Sequence, residues 1–240
     1  MASFCFVIPT LQRAATLPTL VDRLVAHPLV DQIIVINNAV TPVGGLGAKV
    51  TVLEPGHNIF VNPAWNLGVE HASATNLAIC NDDVLFPTEV LEPVAALLGR
   101  RVGVVGPSTS CFSQPPGLCQ PRFHRIVRRP YGFGTLMFMK RSHYVPIPDS
   151  LKIWYGDDYL FLAQRHRNVS FSGVGIETVM GTTSTSPEFA AQIRAEGPAF
   201  DEAMKRLGLT QRILERTAMR SLGAARSRAR SAVRRIVSFE

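Results

Sequence analysis

Two pairs of adjacent acids stand out as residues able to do chemistry. Asn81-Asp82-Asp83 directly follows the apolar run Leu77–Cys80, and Gly156-Asp157-Asp158 lies among Trp154, Tyr155 and Tyr159. Neighbouring carboxylates repel unless water or a cation separates their charges, and hard divalent cations take oxygen ligands. Acids just past the carboxyl end of a strand face the crevice where open α/β sheets bind ligands. The first pair therefore reads as a metal-holding turn, or as a solvated turn with Asn81 or Asp82 capping a helix. The second reads as a general base whose pKa is raised by apolar neighbours and by its twin. Its plainer reading is a helix start, with Asp157 as cap and Asp158 complementing the helix dipole.

The elements that must position these acids alternate along the chain. Strands are expected at Phe4–Pro9, Gln32–Ile36, Val50–Leu53, Leu77–Cys80 and Val102–Val105. Apolar residues at helical spacing predict helices over Leu17–Ala26, Asn62–Ala74 and Thr88–Leu98. The second of these opens on Asn62 with Pro63 at its first position. Strands separated by such helices imply right-handed crossovers and a mostly parallel sheet. From Pro107 to Tyr131 periodicity fails, which predicts a long functional loop or an irregular hairpin. Order returns with a strand at Gly134–Met139, a helix at Tyr155–Arg165 and a strand at Val169–Ser172. A Thr/Ser segment, Thr182–Ser186, then precedes a helix at Glu188–Ala195 and a helical tail.

The ordered set of motifs resembles the GT-A-fold glycosyltransferases of the family-2 type over about residues 4–185. It comprises Val7-Ile8-Pro9-Thr10 with Gln12-Arg13, Asn37-Asn38, Asn66-Leu67-Gly68, Asn81-Asp82-Asp83, Gly134 and Asp157-Asp158. The resemblance implies an α/β fold of GT-A (Rossmann-like) type, its mostly parallel sheet flanked by helices. It also implies transfer of a sugar from a nucleotide-sugar to an acceptor hydroxyl. Thr10 and Arg13 would lie under the base and ribose, with Asn37 or Asn38 in place of the family's usual Asp. Asn66 belongs to the donor side, Asp82 would contact ribose or sugar, and Asp83 would hold a divalent metal, Mg²⁺ or Mn²⁺, on the diphosphate. Gly134 would floor the sugar pocket, and Asp158, with Asp157 beside it, would act as general base. Many relatives add a late His ligand; the stretch Thr178-Val179-Met180-Gly181-Thr182-Thr183 has none, so water and phosphate would complete the metal shell. No second nucleophile presents itself, which favours a single inverting displacement.

Charge locates the partners. The 240 residues carry 25 Lys or Arg and 18 Asp or Glu, a net charge of +7. Residues 205–240 hold ten of the basic residues and two acids, a local charge of +8, whereas residues 1–204 are nearly neutral. The sequence thus divides into a transferase domain, 1–204, and a basic tail, 205–240, whose arginines lie between apolar residues at helical spacing. Such a helix tracks a phosphate backbone, lies on an anionic membrane, or packs on protein. Arg122, Arg125, Arg128 and Arg129, interleaved with Phe123 and His124, point to an anionic acceptor, and Trp154 and Tyr155 offer stacking surfaces. A hydroxymethylated base in DNA fits that loop and tail; a glycan, lipid-linked or protein acceptor is the alternative. A non-catalytic nucleic-acid-binding protein on a degenerate transferase fold is the reading from another class. The N-terminus lacks the basic region of a signal peptide and no run is long enough for a membrane span, and Cys5, Cys80, Cys111 and Cys119 lack metal-finger spacing. These features predict a cytoplasmic protein with reduced thiols.

Overall fold

The computed structural model describes residues 3–179 and 190–207. Eight strands form one mixed sheet flanked by helices. The strands are β1 (Phe4–Thr10), β2 (Val30–Asn37), β3 (Val50–Leu53), β4 (Asn76–Cys80), β5 (Val105–Pro107), β6 (Cys119–Ile126), β7 (Leu136–Lys140) and β8 (Asn168–Val174). The helices are α1 (Leu17–Ala26), α2 (Val61–Glu70), α3 (Leu91–Leu98), α4 (Gly156–Leu162) and α5 (Ala190–Arg206). Strand order is β3-β2-β1-β4-β7-β5-β8-β6.

β3, β2, β1 and β4 run parallel, and β8 is parallel to β5. The sheet is less uniformly parallel than the alternation of elements implies, because β7 enters antiparallel between β4 and β5 and β6 antiparallel beside β8. β1 is buried along its whole length, as a central strand covered on both faces must be. One face carries Phe4, Phe6, Phe86 and Phe138 under α1 and α3; the other carries Val7, Ile79, Met137 and Phe133 under α2 and α4. Each fully buried side chain of this size contributes roughly 1.5–3 kcal/mol by leaving water.

Several boundaries differ from the sequence reading, each for a local reason. α2 begins at Val61 after Phe60, whose φ of 68° breaks the chain direction, so Asn62 is inside the helix rather than its cap. Asn62 instead donates to the carbonyls of Leu151 and Trp154 at 3.3 and 3.1 Å. β5 starts three residues later than expected. The aperiodic stretch 107–131 contains a short 3₁₀ turn, Thr109–Ser113, and the edge strand β6, largely exposed and interrupted by Pro121. α5 crosses position 204, where composition divides body from tail. Thr182–Ser186, the Glu188 start of the expected helix, and tail residues 208–240 lie outside the described residues.

Candidate active site

The carboxyl ends of β1, β2 and β4 meet where strand order reverses around β1, and the first acid pair sits there. Thr10, closing β1, donates from Oγ1 to Asp82 Oδ2 at 2.6 Å, and Thr16 donates to the Asp82 carbonyl at 2.9 Å. Asp83 accepts from Thr178 Oγ1 at 3.0 Å, because the chain leaving β8 returns to this turn through the Leu85–Glu177 bridge. Burial pushes the Asp82 carboxyl up to about 6, against the Thr10 hydrogen bond. Burial also raises Asp83, against the bond from Thr178. Asp83 Oδ1 is buried without a hydrogen-bond partner.

That bare oxygen, in a pair whose charge burial disfavours, fits a divalent cation. Among the described residues no group of three or more His, Cys, Asp or Glu converges. A cation here would take most of its shell from outside the described residues.

Asn37 and Asn38 lie beside this turn and are nearly inaccessible, at 1% and 5% exposure. The Asn37 amide donates to the Thr41 carbonyl at 2.8 Å and to Glu54 at 3.2 Å, and accepts from Gln12 Nε2 and Ala39 N, both at 3.0 Å. Gln12, held at φ 57°, also donates to the Thr41 carbonyl. Asn38 accepts from Ile59 N at 3.2 Å and donates to the Phe60 carbonyl at 3.4 Å. These amides brace the loops around the crevice. Arg13 is exposed at the rim.

Asn66 clamps two segments together. Its Oδ1 accepts from Tyr144 Oη at 2.8 Å and Ile147 N at 2.9 Å, and its Nδ2 donates to the Ile147 carbonyl at 2.8 Å. Gly68 serves packing: a Cβ there would lie 2.9 Å from Ile36 Cδ1 and overlap Val7. The Asn-Leu-Gly signature thus seats α2 on the sheet and ties it to the loop after β7.

The second acid pair opens α4. Asp158 accepts a fork from Arg129, Nε to Oδ1 at 2.6 Å and Nη2 to Oδ2 at 2.9 Å. Arg129 Nη1 also reaches Asp157 Oδ2 at 2.8 Å. Asp157 Oδ1 accepts the Asp158 backbone N–H at 2.9 Å, so Asp157 caps its own helix as well. Burial raises the Asp157 carboxyl, opposed chiefly by Arg129. Burial disfavours the charge on Arg129, but its hydrogen bond to Asp158 and the two negative charges hold its pKa above the ordinary value.

Gly134 lies directly under Asp157, where a Cβ would overlap Oδ2 and stand 2.8 Å from Cγ. The neighbouring Thr135 carbonyl accepts the Asn81 N–H at 3.0 Å, which ties the two acid turns together.

Tyr155 is engaged through its ring, whereas Trp154 is held through its backbone and its indole N–H has no hydrogen-bond partner. Tyr155 adopts φ 62° to start α4 and stacks on Phe200 of α5 with ring centroids 4.6 Å apart. Glu196 of α5, 0% exposed, accepts from Ile153 N at 3.0 Å and Trp154 N at 2.7 Å. A lone acid on a polar helix gives no sequence signal, so this strap was not legible. Arg122, Arg125 and Arg128 are exposed on or just after β6. Arg122 lines a shallow polar cavity of about 310 Å³ with Ser110, Gln114, Gln120 and Ser172. Among the described residues no helix is long and apolar enough to cross a membrane.

The sequence profile of glycosyl transferase family 2 matches residues 5–149. No curated protein matches the sequence. Among solved structures, GalNAc-T7 with UDP, GalNAc and Mn²⁺ superposes with a TM-score of 0.57 at 12% identity, covering 78% of this chain and 45% of that one. TarS 1–349 of S. aureus gives 0.53 at 12% identity, with 72% and 59% covered. The mannosyltransferase PcManGT of Pyrobaculum calidifontis, in complex with GDP-Man and Mn²⁺, gives 0.52 at 15% identity, with 93% and 75% covered. At these identities the shared property is the fold, and the chain spans only about half the length of the GalNAc-T7 and TarS structures.

Proposed function

The chain belongs to glycosyl transferase family 2, and from that premise we propose that it moves a sugar from a nucleotide-sugar to an acceptor hydroxyl by one inverting displacement. The observation that carries this reading is the pair of acid turns joined through Asn81 and Thr135, one suited to a cation and one to a proton. As the diphosphate leaves, the anomeric carbon becomes electron-poor and the acceptor hydroxyl must lose its proton. Asp83 would hold Mg²⁺ or Mn²⁺ with Asp82 adjacent, and the ion's charge would neutralise the diphosphate. Thr10 fixes the Asp82 carboxylate, while Gly134 leaves room for the Asp157 carboxylate. Asp158 is the general base within the second pair. Asp157 has one oxygen committed to its own helix start, whereas both Asp158 oxygens become available once Arg129 moves.

The finer reading of the acceptor is a hydroxymethylated base in DNA. Its support is the exposed Arg122, Arg125 and Arg128 and the +8 charge of residues 205–240. A thermal-shift panel of nucleotide-sugars with Mn²⁺, on the full chain and on Asp83→Asn, tests the donor half. One donor should raise Tm only with Mn²⁺ and only when Asp83 is present. Acceptor trials with that donor then compare hydroxymethylated DNA with glycan, lipid-linked and peptide acceptors. Stabilisation by no nucleotide-sugar would overturn the reading, and transfer to a neutral glycan alone would remove DNA from it.

A further inference from the structure

Arg129 makes two charge-assisted hydrogen bonds with Asp158 and an ion pair with Asp157, the two carboxylates to which the proposed reaction assigns proton removal. A fork of this kind stabilises the ionised carboxylate and so weakens it as a proton acceptor. It also occupies both Asp158 oxygens, one of which must face the acceptor hydroxyl. The pair as it stands is therefore quenched in charge and blocked in space. Only a group that offers the guanidinium an equivalent set of acceptors can displace it cheaply.

The surroundings favour such an exchange. The Arg129 side chain is 26% exposed, and those of Asp157 and Asp158 are 21% and 30% exposed, so a solute reaches the contact. Arg128 is exposed beside it, and Tyr131 follows with 68% exposure. Asp157 and Asp158 are the charged groups facing Arg129, and Gly134 packs under Asp157 without a side chain to replace the guanidinium.

We propose that Arg129 recognises a phosphate or carboxylate on the acceptor, and that this anion draws the guanidinium off Asp157 and Asp158 so that the pair can take the acceptor's proton. The exchange makes acceptor choice and base activation one event: a neutral acceptor leaves Arg129 in place, and an anionic one releases the base. The proton passes from the acceptor hydroxyl to Asp158, and the oxygen's electron pair forms the new bond to the anomeric carbon as the bond to the diphosphate breaks. Burial at Asp157 adds to the effect, because it disfavours an ionised carboxyl once the cation has gone. This inference rests on the second acid pair being the site of proton removal.

The test uses the full chain with ¹³C-labelled Asp carboxyls, followed by NMR as pH is varied, with methyl phosphate, acetate or glycerol added. Methyl phosphate or acetate should bind saturably and raise the titration midpoint of the Asp157 carboxyl by about one pH unit or more. Glycerol should do neither. Arg129→Gln should start at the raised midpoint and no longer respond to the anions, while Arg129→Lys, without the fork, should respond weakly. An unchanged midpoint at anion saturation, or the same anion response in Arg129→Gln, would overturn the inference. So would full competition by a nucleoside diphosphate, which would assign the anion site to the donor. The base assignment fails separately: active Asp157→Asn and Asp158→Asn variants would remove it while the anion response to Arg129 persisted.

Discussion

The two acid turns are chemically alike and electrostatically opposite. At Asp82-Asp83 the force that opposes burial is hydrogen bonding from Thr10 and Thr178, and one Asp83 oxygen is left bare. At Asp157-Asp158 the opposing force is a guanidinium supplied by the chain itself. A buried carboxylate pair needs a cation in either case; the difference lies in where that cation comes from. On the proposed reading the first turn acquires one, and the second gives one up. They also differ in construction: the first is assembled from strand ends within the family-matched residues 5–149, whereas Asp157 and Asp158 lie beyond that match.

The largest effect that would break this comparison is at Asp158. Asp158→Asn should lower transfer by roughly 10²–10⁴-fold while leaving nucleotide-sugar affinity within a few-fold, since a general base acts on the acceptor. Steady-state kinetics and donor titration on the same preparation check it. If Asp157→Asn is the inactive variant instead, the proton site has shifted by one residue; if both stay active, the second turn is structural and the contrast collapses.

A smaller effect sharpens the contrast. Gly134→Ala leaves backbone geometry allowed but forces a Cβ into the Asp157 carboxylate. Transfer should fall about 10²-fold, the scale of displacing a catalytic group by an ångström. Tm and Mn²⁺-dependent donor binding should hardly change, because the first turn is untouched. Loss of metal-dependent donor binding in this variant would show that the two turns work as one site.

The smallest effect concerns Asn66. Asn66→Ala should cost about 1–3 kcal/mol in denaturant unfolding, because it leaves the buried partners in the Tyr144–Ile147 loop unsatisfied. The donor's KM should stay within two-fold. A large rise in donor KM with unchanged stability would return Asn66 to the donor side.

Legibility in the sequence followed the same divide. β1, β2 and β4 are short apolar runs ending in polar residues, so strand, crevice and acid turn could be read together from Phe4 to Asp83. The bracing hydrogen bonds of Asn37, Asn38 and Asn66 have no sequence signature, because a sequence shows an amide but not the loops it ties together. β6 was hidden by Pro121 and by an exposed edge position that imposes no apolar alternation. The contact of Arg129 with Asp158, 29 residues away, and of Glu196 with Ile153, 43 residues away, depends on how the chain returns on itself. No local pattern encodes such a meeting.

The Glu196 strap has a consequence for the order in which the molecule becomes complete. A chain made from its N-terminus has every described partner of the first acid turn, Thr135 and Thr178 included, before residue 196 exists. The loop that launches Asp157 and Asp158 lacks its carboxylate anchor and its aromatic lid until α5 arrives. On the proposed reading, the groups assigned to donor capture are therefore synthesised before the anchor of the loop assigned to proton removal.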